Sequence, residues 1–385
     1  MTYTLGARVI RLAMALAITG LSAPLIADVA SGQTTNQPAP GGRAGAGRAG
    51  VAPAPAPAPR QAAPPASTTA RPRPARAAQA AARASEPLEV VQLRDNFYAI
   101  VGAGANIAVQ TGPDGIILVD SGSGERSEQV LAEIRKLSTR PVRYIINTSA
   151  NKEHVGGNDD LSKAGQSVIP TGGLNEIGAA GGRAPILAEE HVQSAMTAPT
   201  GEQAPFPVGA WPTVTYSSDL MESQKDLYLN GEAIITSYQP AAHSDGDSIV
   251  FFRRSDVLVT GEVYDPTRFP VIELEKGGSV QGVIDALNRI IGITVPPIPL
   301  IWQEGGTIVV GAHGTIGHEA DVVDYRDMVT IVRDRIQDLI KKGMTLAQVR
   351  QADPVKGYRR RYGADTGTWT TNQFIEAVYK SLGGK

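Results

Sequence analysis

The chain has 385 residues, no cysteine and a formal net charge of −2. Disulfide scaffolds, thiol nucleophiles, thiolate metal sites and a lipid-anchored N-terminal cysteine are therefore excluded. Hydrophobic residues reach 42%, enough for a sizeable core, while 5% aromatic and 19% charged residues are thin for a wholly globular chain of this length. The near-neutral balance gives no basis for nucleic-acid binding.

Residues 1–32 read as a secretory signal peptide. Arg8 and Arg11 precede the apolar run Leu12–Ile18 and the stretch Leu21–Ala27, with small residues Ala30-Ser31-Gly32 beyond. The run is shorter than the ~20 apolar residues a spanning helix needs, so export to the periplasm or the extracellular space is expected. Residues 33–87 form an Ala/Pro/Gly/Arg-rich linker, with Ala-Pro repeats over Val51–Pro59. Residues 34–85 contain seven Arg, no acid and no aromatic residue. Such a segment buries too little apolar area to offset chain entropy and is expected to stay disordered, stiffened by proline. Its charge suits weak contact with anionic envelope polymers or lipid headgroups, and a solvated spacer is the simpler reading. The rest of the chain is net acidic.

From residue 88 the pattern becomes strands and helices. Leu88–Leu93, Phe97–Val101, Asn106–Thr111 and Ile116–Val119 are expected strands, the last two joined by the turn Gly112-Pro113-Asp114-Gly115. A helix follows with Val130, Leu131, Ile134 and Leu137 on one face, stopped at Pro141. Val142–Asn147 is a buried-looking strand that runs into a polar loop, Thr148 to Asn158. The stretch 171–215, rich in Gly, Ala and Pro, reads as a long loop around one helix near 185–196. Ala233–Tyr238, Ser248–Phe252, Val257–Thr260 and Thr307–Gly311 are later strands, and further helices are expected near 279–291 and 319–342. Two capping boxes, Thr345 with Gln348 and Thr370 with Gln373, start short terminal helices. The domain expected over 88–343 is a mainly antiparallel α+β fold of two sheets flanked by helices, followed by a helical extension over 344–385.

The chemistry concentrates in few residues. Of five histidines, His154, His243 and His313 lie on loops at strand ends with glycine alongside, and Glu262 follows the strand Val257–Thr260. Histidines and carboxylates gathered in this way suit a metal site. Each histidine alone fits a loop-bracing role equally well; the joint placement carries the metal reading. His191 and His318 stand apart from these motifs, and a surface role is expected for both.

The order of these landmarks resembles the metallo-β-lactamase superfamily. They run as Leu118-Val119-Asp120-Ser121-Gly122, a helix, Tyr144-Ile145-Ile146-Asn147-Thr148, the polar loop with Gly156-Gly157-Asn158, His243 with Gly246, Gly261-Glu262 and His313-Gly314. The resemblance implies an αββα sandwich with a metal site at one edge of the sheets. It also implies that Asp120 braces the metal loop. The family loop His-x-His-x-Asp-His reads here Ser149-Ala150-Asn151-Lys152-Glu153-His154. Two histidines of the family's first metal site are thus Ser149 and Asn151, and only His243 remains of it. Glu153, His154, Glu262 and His313 fall on the four positions of the second site, each acid one methylene longer than the family's aspartate.

Two imidazoles and two carboxylates would complete a tetrahedral shell for Zn²⁺, or suit Fe²⁺ or Mn²⁺ with added waters. One divalent ion, Zn²⁺ first, is the expected cofactor. The implied function is hydrolysis of a small-molecule ester, lactone or amide with one ion. His243 would then act as general base or orient water, and Asn151 and Ser149 would donate to a developing oxyanion. The alternative is a catalytically inactive binding protein on the same fold. Ser149 as a nucleophile with His243 as its base lacks the strained turn such a residue needs and an identifiable orienting acid.

Overall fold

The computed structural model describes residues 87–167, 182–198, 206–217, 223–297 and 305–384. The signal peptide expected over 1–32 lies outside the described residues, as do residues 33–86 of the linker and residues 171–181 and 199–205 of the long loop.

Strands β1 (Glu89–Arg94), β2 (Phe97–Val101), β3 (Ile107–Gln110) and β4 (Ile116–Val119) form an antiparallel meander. Helix α1 (Ser127–Leu137) then crosses over to β5 (Val142–Ile146), which pairs with β4 in parallel. The polar loop folds into two short helices, α2 (Lys152–Val155) and α3 (Asn158–Lys163). After them β6 (Ile186–Glu189), α4 (Glu190–Thr197) and β7 (Val214–Tyr216) extend the parallel half, giving a seven-stranded sheet in sequence order.

The second sheet is a meander of β8 (Gln224–Leu229), β9 (Glu232–Gln239), β10 (Asp247–Phe252) and β11 (Val257–Gly261). Helix α5 (Val280–Ile293) leads to β12 (Ile308–Gly311), which joins β11 in parallel. Four helices close the chain: α6 (Glu319–Lys341), α7 (Leu346–Gln351), α8 (Arg359–Tyr362) and α9 (Thr371–Ser381).

The sequence predicts a mainly antiparallel plan, and six of the ten pairings among the described residues are antiparallel, with β4–β7 and β11–β12 parallel. The expected helix near 185–196 starts later, because Ile186–Glu189 is wholly buried and pairs with β5. A short, almost wholly apolar run cannot be assigned to strand or helix by periodicity. The glycine- and proline-rich setting further disguises β6 and β7.

Alternation in the strands builds the layers. Ala108, Ile117, Val119 and Ile146 face Val250, Phe252, Val257 and Val259 between the sheets. Their neighbours Ile107, Val109, Ile116 and Leu118 face Val130 and Ile134 of α1 on the other side. Ile249, Leu258 and Val309 turn outward from the second sheet to meet α5 and α6. Period-two side chains buried on both faces give an αββα sandwich. Each fully buried Val, Ile, Leu or Phe contributes about 1.5–3 kcal/mol over its exposed state. Val349, Phe374, Ile375 and Val378 of the 344–385 extension lie in the same cluster as α5 and α6. Both expected capping boxes are formed, with Thr345 and Thr370 accepting from the backbone of Gln348 and Gln373.

Candidate metal centre

The ends of β4, β5, β11 and β12 meet at one edge of the sandwich, and the residues singled out in the sequence follow those ends. Asp120, directly after β4, has φ of 64°, a left-handed conformation that a short polar side chain tolerates. Its carboxylate accepts from Thr148 N at 2.9 Å, from Thr148 Oγ1 at 2.7 Å and from His154 Nδ1 at 2.8 Å. Ser121 donates through N (2.7 Å) and Oγ (3.0 Å) to the carbonyl of His154. The helix carrying Glu153 and His154 is thereby fixed from beneath. Gly261 (φ 52°) lies so close to Thr148 that a Cβ would sit 2.5 Å from Thr148 Oγ1. Asn106 holds the His313 loop, donating to Ala312 O (2.7 Å) and Gly311 O (3.1 Å).

Three of the four predicted ligands gather within a common reach at this edge, and His154 is not one of the three. One donor atom each from Glu153, Glu262 and His313 lies within 4.8 Å of the other two. His313 Nε2 is 3.3 Å from Glu153 Oε1 and 3.6 Å from Glu262 Oε1. Neither approach has hydrogen-bond geometry, so this buried nitrogen lacks a hydrogen-bond partner. His154 joins through Glu262, with Nε2 3.1 Å from Oε1. Its Nδ1 is taken by Asp120, the carboxylate–histidine arrangement that orients metal-binding imidazoles.

The charges are strongly coupled. Burial alone would lower the pKa of His154; the Asp120 and Glu262 carboxylates at its two nitrogens outweigh that and hold it well above the ordinary value. His313 is likewise opposed by burial, yet Glu153 and Glu262 push it up to about 9. Burial would raise Glu262, but the imidazoles of His154, His313 and His243 around it keep it well below the usual carboxylate range. A divalent cation would replace these protons. The donors that gather fit such an ion: the Glu153 and Glu262 carboxylates and His313 Nε2, which has no hydrogen bond, with His154 behind them on Glu262.

The other three predicted residues form a separate station. His243 Nδ1 is 3.2 Å from Asp247 Oδ1, and Nε2 faces Asn151 Nδ2 at 3.3 Å and Glu273 Oε2 at 3.5 Å. Burial lowers the pKa of His243, but Asp247, Glu262 and Glu273 raise it above the ordinary value overall. Ser149 is buried and its Oγ accepts from Asn151 N at 3.2 Å, a local bond at the start of α2. The His243 turn rests on the start of α5. A Cβ on Gly278 would overlap the His243 carbonyl and one on Gly282 the Ala241 carbonyl.

Sequence reasoning missed Asp247, Glu273 and Arg268. Asp247 stands four residues after His243, a spacing that could have flagged it. Glu273 and Arg268 come from the 263–278 segment, whose course no local pattern discloses. His191 sits apart, bonded to Glu189 at 2.9 Å and facing Asp245 at 3.5 Å. His318 caps α6, its N–H donating to Asp321 at 2.9 Å.

An αββα sandwich with acids and histidines gathered at one sheet edge is a hydrolase-like architecture. The family model of the metallo-beta-lactamase superfamily matches residues 100–298, and the chain belongs to that superfamily. A solved double mutant of the sec-alkyl sulfatase PisA1 superposes with a TM-score of 0.54 at 14% identity, over 76% of this chain and 50% of that one. The stereoselective inverting sec-alkylsulfatase Pisa1 from Pseudomonas sp. gives 0.53 over the same shares, again at 14% identity. The chain thus spans about half the length of these structures. A 46-residue stretch, 12% of this chain and 9% of the relative, is 44% identical to the linear primary-alkylsulfatase of Pseudomonas sp. (strain ATCC 19151).

Proposed function

We propose that the protein is an exported hydrolase that works with one divalent cation, Zn²⁺ first, held by Glu153, His154, Glu262 and His313. The observation that carries this reading is His313 Nε2, buried without a hydrogen bond between two carboxylates. A bound ion would supply an acidified water and polarise the scissile bond. His243 is oriented by Asp247, so Nε2 lies between Asn151 and Glu273. It can take a proton from an attacking water once the pH exceeds its raised pKa. The Asn151 amide lies beside it as a donor to a developing oxyanion. Ser149 supports that residue through the backbone of Asn151.

The substrate is a small ester, lactone or amide, and the alkylsulfatase stretch puts alkyl sulfate esters first in the test panel. The basic start and apolar run of residues 1–32 support export, and the Arg-rich linker supports weak contact with anionic envelope components. Replacement of two first-site histidines by Ser149 and Asn151 favours a second reading, a binding protein without turnover. Metal analysis of the purified protein, together with hydrolysis assays on alkyl sulfates, carboxylic esters, lactones and β-lactams, separates the two. The hydrolase reading requires stoichiometric metal and turnover that a chelator abolishes. A protein that holds no metal, or holds it without turnover, sinks that reading.

A further inference from the structure

We infer that Arg268 is a positioning residue that keeps Glu262 a one-oxygen metal ligand, and that the C-terminal helices hold Arg268 in place for this task. The inference rests on the single-ion reading above. The two oxygens of Glu262 face different ways. Oε1 meets His154 Nε2 at 3.1 Å and His313 Nε2 at 3.6 Å, on the metal side. Oε2 pairs with Arg268 Nη2 at 3.5 Å. A glutamate is longer and freer than the aspartate at the family position, and both of its oxygens could otherwise swing onto an ion. An ion pair on Oε2 restrains that swing.

The guanidinium is itself anchored. Arg268 Nε donates to Asp265 Oδ2 at 2.6 Å, and the Asp265 side chain is 3% exposed. Asp265 Oδ1 accepts from Thr267 N at 2.9 Å and Thr267 Oγ1 at 2.5 Å, closing the turn on itself. The aspartate also balances the arginine charge, so the pair repels an incoming cation far less than a bare guanidinium would.

The backbone of this turn is clamped by residues of α6, α8 and α9. Tyr325 of α6 donates its hydroxyl to the Arg268 carbonyl at 3.0 Å. Phe269 N donates to the Tyr362 carbonyl at 3.1 Å, and the Phe269 ring stacks on Phe374 of α9 at 4.6 Å between centroids. Residues that sit among helices far from the cleft in sequence thus set the position of a side chain that touches a metal ligand. The extension over 344–385 acquires a role in the site by this route.

The test compares full-length wild type, Arg268→Ala, Arg268→Lys and Tyr325→Phe loaded with Co²⁺ as a spectroscopic stand-in. Affinity is read by competition with a chelator, coordination by the visible absorption of bound Co²⁺, and folding by the melting temperature of the metal-free protein. Arg268→Ala is expected to weaken binding about 10-fold or more, the usual effect of losing a group that orients a ligand. Its Co²⁺ bands should lose intensity as Glu262 engages through both oxygens and coordination rises. Arg268→Lys, which keeps the charge but cannot span Asp265 and Glu262 together, should stay closer to Ala than to wild type. Tyr325→Phe should shift the spectrum in the same direction by less. Tighter binding in Arg268→Ala, a Lys variant equal to wild type, or unchanged spectra throughout would overturn the inference while leaving the metal site standing. Wild type that takes up no Co²⁺ would remove the site reading and this inference together.

Discussion

His154 and His243 are two buried histidines with matching surroundings. Each has Nδ1 on a buried carboxylate, Asp120 at 2.8 Å or Asp247 at 3.2 Å, and Nε2 toward a glutamate, Glu262 at 3.1 Å or Glu273 at 3.5 Å. The stations differ in what completes them. The glutamate beside His154, Glu262, is itself grouped with Glu153 and His313, both able to ligate a cation. Around His243 the neighbour is an amide, Asn151, and Lys276 neutralises Glu273 at 2.9 Å. Orientation of an imidazole is therefore retained at both stations, and a gathering of donors at only one. The orienting carboxylates do not make a metal site by themselves; convergence of three or four donors does.

The contrast is broken most directly by removing one station. His154→Ala with His313→Ala should reduce bound metal from stoichiometric to none, measured by elemental analysis after dialysis, whereas His243→Ala should keep it. Equal loss in both proteins would mean that the two stations share an ion. Rebuilding the poorer station is the next test. Ser149→His, Asn151→His and Glu153→Asp together should raise the stoichiometry from one ion toward two, and a value still at one would show that Glu273 and Lys276 block the position.

The supports can then be compared. Asp120→Asn should weaken metal binding about 10- to 100-fold, because it removes the partner that orients His154. Asp247→Asn should leave metal affinity unchanged and lower the rate instead. Isothermal titration beside steady-state kinetics reads both.

Smaller effects follow from protonation. In the metal-free chain the raised pKa of His313 gives stability that is complete below its ordinary 6.5 and lost as pH rises through about 9. Glu262 works in the other sense, stabilising above the usual 4.5 and less as pH falls through its lowered value. Melting curves of metal-free protein should therefore decline from pH 6.5 toward 9, and added metal should offset the decline because its competitors, the protons, leave. If His243 is the base, the rate should rise with pH through an inflection above 6.5. Glu273→Gln, by removing one carboxylate, should move that inflection to lower pH.

Much of this molecule was legible before any coordinates. Strand ends followed by Asp120, His154, Glu262 and His313 could be read because the apolar runs stop abruptly at polar, glycine-flanked residues. The long stripe of α6 and both capping boxes were readable for similar local reasons. What stayed hidden depends on distant contacts. The four residues of β6 carry no periodicity. Arg268 and Glu273 sit in a segment whose path is decided by Tyr325, Tyr362 and the His243 carbonyl, none of them neighbours in sequence. The same holds for Asp120, whose side chain was expected to brace the loop but whose left-handed backbone is imposed by the bonds it makes.

The glycines at 278 and 282 constrain any attempt to reshape this region. Bare backbone there lets a helix start press directly against the turn that presents His243, so any larger residue at either position would have to displace main chain rather than a neighbouring side chain.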